Sequence, residues 1–148
     1  MQVIGFNFEK ISAERKKPSE GKLEVNSNIN IKDITQEKLE IVKEKPVLKI
    51  SFEFKVSYKP DIADISLQGN IILLVEKDEA KSILKNWKTK KLLEEIRIPV
   101  FNIILTKSNL KALQLEEELN LPLHLPFPKI RKEQLDKANN TKNRSYAG

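Results

Sequence analysis

Residues 47–58 constrain the fold of this chain more than any other segment. Apolar residues fill every second position: Leu48, Ile50, Phe52, Phe54, Val56 and Tyr58. The positions between them hold polar or charged side chains: Lys49, Ser51, Glu53, Lys55 and Ser57. This alternation places all the apolar side chains on one side of a β-strand, which a helix cannot do. The segment therefore predicts a strand with one buried face and one solvent-facing face.

Three further segments show a similar period of two. Residues 2–15 alternate through Ile4, Phe6 and Phe8. Residues 22–33 alternate through Leu23, Val25, Ile29 and Ile31. Residues 65–75 alternate from Ile65 to Val75 and add Ile72 and Leu74 on the second face, as expected of a central or interface strand. Residues 34–46 are ambiguous and predict a connection with a short helical or extended piece.

The period changes after Lys77, where two helices are predicted. The first has one apolar face, formed by Ala80, Ile83, Leu84 and Trp87, and Asp78 is its expected N-cap. The second is expected to have Pro99 in its first turn and to continue to about Leu119. Its predicted apolar positions are Val100, Ile103, Ile104, Leu110 and Leu113.

Residues 121–128, with the sequence "LPLHLPFP", follow the second helix. Three prolines in this segment remove backbone donors and fix φ, so it cannot continue the helix. We expect it to be extended, to pack along an apolar surface and to close the fold. A basic segment begins directly after it at Lys129.

Strands grouped before helices predict an α+β fold. We expect a four-stranded antiparallel sheet followed by two helices packed on one face, a closing extended apolar segment and a basic C-terminal tail. A chain of 148 residues fits one domain. The expected boundaries are 1–128 for the α+β domain and 129–148 for the tail.

The composition offers little chemistry for catalysis. There is no cysteine, which excludes disulfides and thiolate nucleophiles or ligands. The only histidine, His124, lies between two leucines and is interpreted as a packed or partly exposed side chain rather than a general base. The run Glu116–Glu118 is most simply a solvated helix face, and Asp61 and Asp64 fall in a predicted turn. We therefore expect no enzyme, no metal site and no cofactor.

The positive charge is concentrated near the C-terminus. The last twenty residues carry +4 of the net charge of +6. Their cations, with Tyr146, suit phosphate and stacking contacts with RNA: Lys129, Arg131, Lys132, Lys137, Lys142 and Arg144. Two further clusters are Arg15, Lys16 and Lys17, and Lys85 and Lys88 around Trp87. For the tail, the alternative interpretation is a solvated terminus that does not bind RNA. For Trp87, the alternative is that its side chain packs in the core.

The first hypothesis is accordingly a non-catalytic ribosomal or ribosome-associated protein that binds rRNA and lies beside ribosomal proteins. The first ten residues lack the pattern of a signal peptide. The longest apolar run, "IILLV", is too short to span a bilayer. We expect a cytoplasmic protein that does not associate with a membrane.

The order of these elements resembles the SecB-like export-chaperone fold. The segment Leu119–Pro122 is similar to the Leu-Asn-Leu-Pro-type segment that closes the helical half of that family. The stretch "IRIPVFNIIL" at 96–105 is similar to its proline-containing entry into the long helix. The resemblance covers most of residues 1–128. It implies a protein that assembles into dimers or tetramers and binds non-native polypeptide in apolar grooves.

The second hypothesis follows from this resemblance and from the number of apolar faces in the chain. The candidate polypeptide-binding residues are Phe52, Phe54, Trp87, Leu123 and Phe127. The same apolar surface could also be the contact between copies of this chain in a homo-oligomer. The bacterial chaperones of the family are acidic and dock on an export motor through an acidic sheet surface. This chain has a pI of 9.4, which argues against that docking role.

Overall fold

The fold is a four-stranded sheet with two helices, seen in a computed structural model that describes residues 1–18, 21–38 and 44–133. The strands are β1 (Gln2–Arg15), β2 (Glu24–Glu37), β3 (Val47–Lys59) and β4 (Ala63–Leu74). The helices are α1 (Lys77–Trp87) and α2 (Glu94–Glu118). The strand order is β1-β4-β3-β2, and every pairing is antiparallel. The predicted α+β fold class is confirmed.

The core lies between the helices and one face of the sheet. The alternating apolar residues of β3 are all buried, and so are the odd-numbered apolar residues of β4. They pack against Ala80 and Ile83 of α1 and against the buried side of α2. Because β4 lies between β1 and β3, its prediction as a central strand is confirmed.

The second face of the sheet is polar. Glu53 is largely buried there and accepts a 2.9 Å hydrogen bond from Gln68, with Lys32 and Lys55 at 3.4 and 3.5 Å. Burial alone would raise the pKa of Glu53, but the Gln68 hydrogen bond and the two lysines outweigh burial and hold this pKa below its ordinary value. Ile72 and Leu74 are half-buried on this face.

Bulges explain two differences from the predicted strands. In β2 the register shifts between Ile31 and Asp33, so Ile34 pairs with Ile50 and is buried although the period of two has changed. The strand therefore continues to Glu37, beyond the predicted residue 33. In β1 the register shifts at Ile4, which is exposed, and Val3 packs against the core in its place. Residues 39–43 of the ambiguous segment lie outside the described residues.

Gly69 allows β1 to approach the centre of the sheet closely. A Cβ at this position would collide with the backbone oxygen of Asn7 and would crowd the ring of Phe52. Residue 69 pairs with Phe8, beside the second register shift of β1. A side chain at residue 69 would therefore push the edge strand away from β4.

The two helices begin earlier than the sequence predicts. The N-cap of α1 is Glu76 rather than Asp78, which lies in the first turn. Since α2 begins at Glu94, Pro99 lies inside the helix rather than in its first turn. The buried row of α2 repeats every four residues: Ile96, Val100, Ile104, Ser108, Ala112 and Glu116. Leu110, predicted to be apolar core, is 59% exposed because it falls outside this row.

The segment after α2 is non-helical, as its prolines predict. Its packing differs from the prediction, because Leu121 is buried while Leu123, Leu125 and Phe127 are exposed. The buried His124 side chain makes the other inward contact. Neither helix in the described parts of the chain is long and apolar enough to cross a membrane.

Candidate functional site

A groove of about 800 Å³ lies between the edge strand β2 and the connection from α1 to α2. Its apolar lining is Ile29, Ile31, Trp87, Leu92, Leu93 and Phe101. Residues 29–32 of β2 form one wall, and β2 pairs only with β3 in the described sheet. The groove therefore combines apolar side chains with a strand edge whose backbone groups are available for pairing.

Trp87 connects the groove to the core. It packs against the core cluster and also lines the groove, so it serves both of the roles that the sequence suggests. Its indole N–H donates to Oδ1 of Asp33 at 3.3 Å, which ties the end of α1 to β2. The Nζ of Lys90 lies 4.6 Å from the ring centroid, within the range of a cation–π contact.

The end of α1 is a Schellman motif. The N–H of Lys91 donates to the carbonyl of Asn86 at 3.1 Å, and the N–H of Lys90 donates to that of Trp87 at 2.8 Å. Lys90 has a φ of 58°, the left-handed conformation that usually selects glycine at this position. The motif turns the chain so that Leu92 and Leu93 line the groove.

The start of α2 is apolar where a helix usually has a polar cap. Leu93 is the N-cap residue, it makes no side-chain capping hydrogen bond, and it is 47% exposed. Serine, threonine, aspartate or asparagine at this position would bond to a free backbone N–H. Leu93 cannot make this hydrogen bond, and its side chain instead adds apolar area to the groove.

A second apolar surface lies at the other end of α2. A groove of about 460 Å³ is lined there by Leu110, Leu113, Leu121, Leu123 and Phe127, with polar neighbours. Two predicted polypeptide-binding residues, Leu123 and Phe127, are therefore exposed together. They lie apart from Trp87, which lines the first groove.

Phe52 and Phe54 do not line a surface. Each is 1% exposed, because the sheet face on which they lie is covered by the helices. Their prediction as polypeptide-binding residues is therefore corrected to core packing. The alternation of β3 already places both residues on its buried face.

Two of the cations predicted to bind RNA make contacts within the described part of the protein. Arg15 donates to the backbone oxygens of Leu119 and Asn120, at 3.0 and 3.3 Å, beyond the end of α2. Lys16 pairs with Asp61 and Asp64, at 3.0 and 2.8 Å, which raises its pKa through those contacts. Lys17, Lys85, Lys88, Lys129, Arg131 and Lys132 are exposed.

Lys137, Lys142, Arg144 and Tyr146 lie outside the described residues. No observation on the described part of the chain supports rRNA binding, which stays a prediction. In those parts, no group of three or more potential ligands could hold a metal ion.

A buried polar cluster holds the segment after α2 in place. Nδ1 of His124 lies 2.7 and 2.9 Å from the two carboxylate oxygens of Glu116, and its backbone N–H donates to Oε1 of Glu116 at 2.9 Å. Nε2 of His124 lies 2.8 Å from Oδ1 of Asn109. Both ring nitrogens therefore face side-chain oxygens, which hold the imidazole on two sides.

Tyr58 completes this cluster from β3. Its hydroxyl donates to the carbonyl of Pro122 at 2.6 Å, and burial, with the neighbouring Glu116 carboxylate, raises the pKa of the phenol above its ordinary value. The prediction that Glu116 belongs to a solvated face is wrong, because its side chain is 0% exposed. Burial of His124 agrees with its interpretation as a packed side chain.

Two helices over one face of a four-stranded antiparallel sheet, with an apolar groove beside an edge strand, define the class of fold. Among solved structures, the chain is similar to the SecB-like chaperone Rv1957 of Mycobacterium tuberculosis, in complex with a ChAD peptide from the antitoxin HigA1 (Rv1956). The TM-score is 0.50 at 13% identity, over 88% of this chain and 91% of that chain. This likeness supports a SecB-like fold. No family model and no curated protein matches the sequence.

Proposed function

We propose that this chain is a non-catalytic binding protein that holds extended, apolar segments of non-native polypeptide. The groove beside β2 carries the proposal, because it offers apolar contacts together with an edge of β2 that pairs with no strand of the described sheet. The bound segment would add a strand to β2, and its apolar side chains would contact the groove. The fold shared with a chaperone that was solved with a peptide supports this choice.

The dimensions and lining of the groove suit this use. Its volume of about 800 Å³ lies within the usual range of binding clefts and exceeds that of an ordinary packing defect. The four residues 29–32 are consecutive in β2, so they offer backbone groups along a short extended path. Backbone pairing is independent of sequence, as a protein that receives varied segments requires.

Trp87 allows a direct test because it is the only tryptophan in the chain. Titration with a neutral peptide that alternates leucine and serine should shift the Trp87 fluorescence in a saturable way. A serine–glycine peptide of the same length should leave the emission unchanged. The chain should also reduce aggregation of an unfolded client at stoichiometric amounts.

Leu93→Ser and Leu105→Ser form a matched pair of variants. Both leucines are exposed, but Leu93 lines the groove, whereas Leu105, one turn after Phe101 on α2, does not. Leu93→Ser should weaken peptide binding by about tenfold, since it removes the burial of one leucine, while Leu105→Ser should change it less than twofold. Equal effects of the two substitutions would place binding elsewhere and contradict the proposal.

A further inference from the structure

The rim of the groove carries an excess of positive charge. Its charged residues are one carboxylate, Glu94, and four cations: Lys32, Lys90, Lys91 and Arg97. Lys32 lies 3.4 Å from Glu53, and Arg97 lies 3.4 Å from Glu94, so these two cations are balanced locally. Among the described residues, no carboxylate lies within ion-pair distance of Lys90 or Lys91. The uncompensated charge of the rim therefore lies on two adjacent lysines.

The backbone fixes the place of these two lysines beside the apolar lining. Both belong to the Schellman motif that ends α1, and Lys90 occupies its left-handed position. A lysine is less favourable there than a glycine, because its Cβ crowds the backbone. The fold therefore keeps a cation next to Trp87 at a position where backbone conformation alone would favour glycine.

We propose that the groove selects extended polypeptide segments whose apolar core is followed or preceded by aspartate or glutamate. This inference rests on the proposed polypeptide-binding function and specifies its substrate class. The apolar part of the segment contacts Ile31, Leu92 and Phe101, and its carboxylates lie next to Lys90 and Lys91. A segment with basic flanks would place like charges beside these lysines and bind more weakly.

A single-stranded nucleic acid is the competing polyanion for such a rim. The lining argues against it, because most of its apolar residues are aliphatic and do not stack on bases. Trp87 is also engaged, since its N–H donates to Asp33 and Lys90 lies over its ring. A strand edge suits a polypeptide backbone.

The experiment compares three peptides that share one alternating leucine core and differ in their flanks: two aspartates, two serines or two lysines on each side. Trp87 fluorescence reports occupancy of this groove, and a short oligouridylate is titrated in the same way. At low salt the aspartate peptide should bind about tenfold more tightly than the lysine peptide, as expected for a few exposed ion pairs. At about 1 M salt the Debye length is only ~3 Å. The charges are then screened, so the difference in affinity between the two peptides should nearly vanish.

The variant Lys90→Gln/Lys91→Gln should lose most of this preference. Its control is Lys81→Gln/Lys107→Gln, which removes the same net charge from exposed lysines that do not line the groove. The control should keep the full preference. If both variants lose it equally, the effect comes from net charge, and the assignment to the rim is wrong.

The outcomes separate this inference from the function on which it rests. Equal, saturable binding of all three peptides would keep the polypeptide-binding function and overturn the charge selection. Tighter binding of the lysine peptide, or of the oligouridylate, would also overturn it. No Trp87 response to any peptide would remove both proposals.

Discussion

The two ends of α2 are built in opposite ways. At its start, Leu93 leaves the helix without a side-chain cap and exposes apolar area to the groove. At its end, Arg15 donates to backbone oxygens, and Glu116 pairs with the buried His124. Both ends carry an apolar groove, of about 800 Å³ at the start and about 460 Å³ at the end. They differ in their polar groups, which side chains satisfy at the end of α2 and leave without a cap at its start. We therefore expect the end of α2 to contribute mainly to stability and its start to contribute to the proposed binding.

The same difference appears in two Schellman motifs. The motif that ends α2 has Asn120 in the left-handed position, with a φ of 53°, and asparagine tolerates that conformation well. The motif that ends α1 has Lys90 there, with a φ of 58°. The same backbone motif therefore has a favourable residue, Asn120, at the end of α2 and a less favourable residue, Lys90, beside the groove.

The largest expected effect is the loss of the buried contact between Glu116 and His124 at the end of α2. Glu116→Ala should lower the free energy of unfolding by about 3 kcal/mol, because it leaves the backbone N–H and the Nδ1 atom of His124 buried without a partner. Urea unfolding measures this loss. Under conditions where the variant remains folded, peptide affinity at the groove beside β2 should stay within about twofold of the wild type, since distant sites act independently.

Glu118→Ala is the matched control, because Glu118 belongs to the same run of three glutamates and is exposed. It should change stability by less than about 0.5 kcal/mol. A similar loss in both variants would show that the carboxylate of Glu116 has no special role. A large loss of groove affinity in folded Glu116→Ala would contradict the separation of the two ends.

The sequence predicts the sheet and helices because these follow from local periodicity. Alternation in β3 and the i, i+3, i+4, i+7 pattern of α1 identify their buried faces correctly. Periodicity fails where a bulge changes its phase, as at Ile4 and at Lys32. A bulge depends on pairing with a strand that is distant in sequence, which a local pattern does not contain.

The candidate sites are harder to predict for the same reason. From the sequence, Glu116 resembles a solvated residue. Its burial depends on the turn at Asn120, which brings His124 into contact with it. Trp87 can be found from the face of α1, but the groove also needs β2, more than fifty residues earlier. One signal was present in the sequence: an apolar Leu93 directly before Glu94 and Glu95, at the start of a helix.

The second prediction concerns the alkaline stability of the end of α2. The folded state raises the pKa of Tyr58, through burial first and the Glu116 carboxylate second, above the ordinary value of 10.0. The folded chain therefore holds this proton more tightly than the unfolded chain does. The contribution of Tyr58 to the free energy of unfolding should be fully present below about pH 10. Above that pH, this contribution should fall by about 1.4 kcal/mol per pH unit.

Tyr58→Phe isolates this contribution, because the lysine pairs that also titrate at alkaline pH remain in both proteins. The variant loses the hydrogen bond to Pro122 at every pH, so its stability should be lower by about 1 kcal/mol at neutral pH. Urea unfolding at several values above pH 10 should show a shallower decline in Tyr58→Phe. Parallel declines would mean that this phenol ionises as easily in the folded chain as in the unfolded one.

The smallest expected effect tests the start of α2. Leu93→Ser places a capping hydroxyl where the helix has free backbone N–H groups, so the free energy of unfolding should rise by up to about 1 kcal/mol. The same substitution removes apolar area from the groove beside β2 and should weaken peptide binding. A more stable variant that binds less would show that Leu93 is kept for the groove, because loss of folding could not explain the loss of affinity. A less stable variant would instead assign Leu93 to packing, and the contrast between the two ends of α2 would fail.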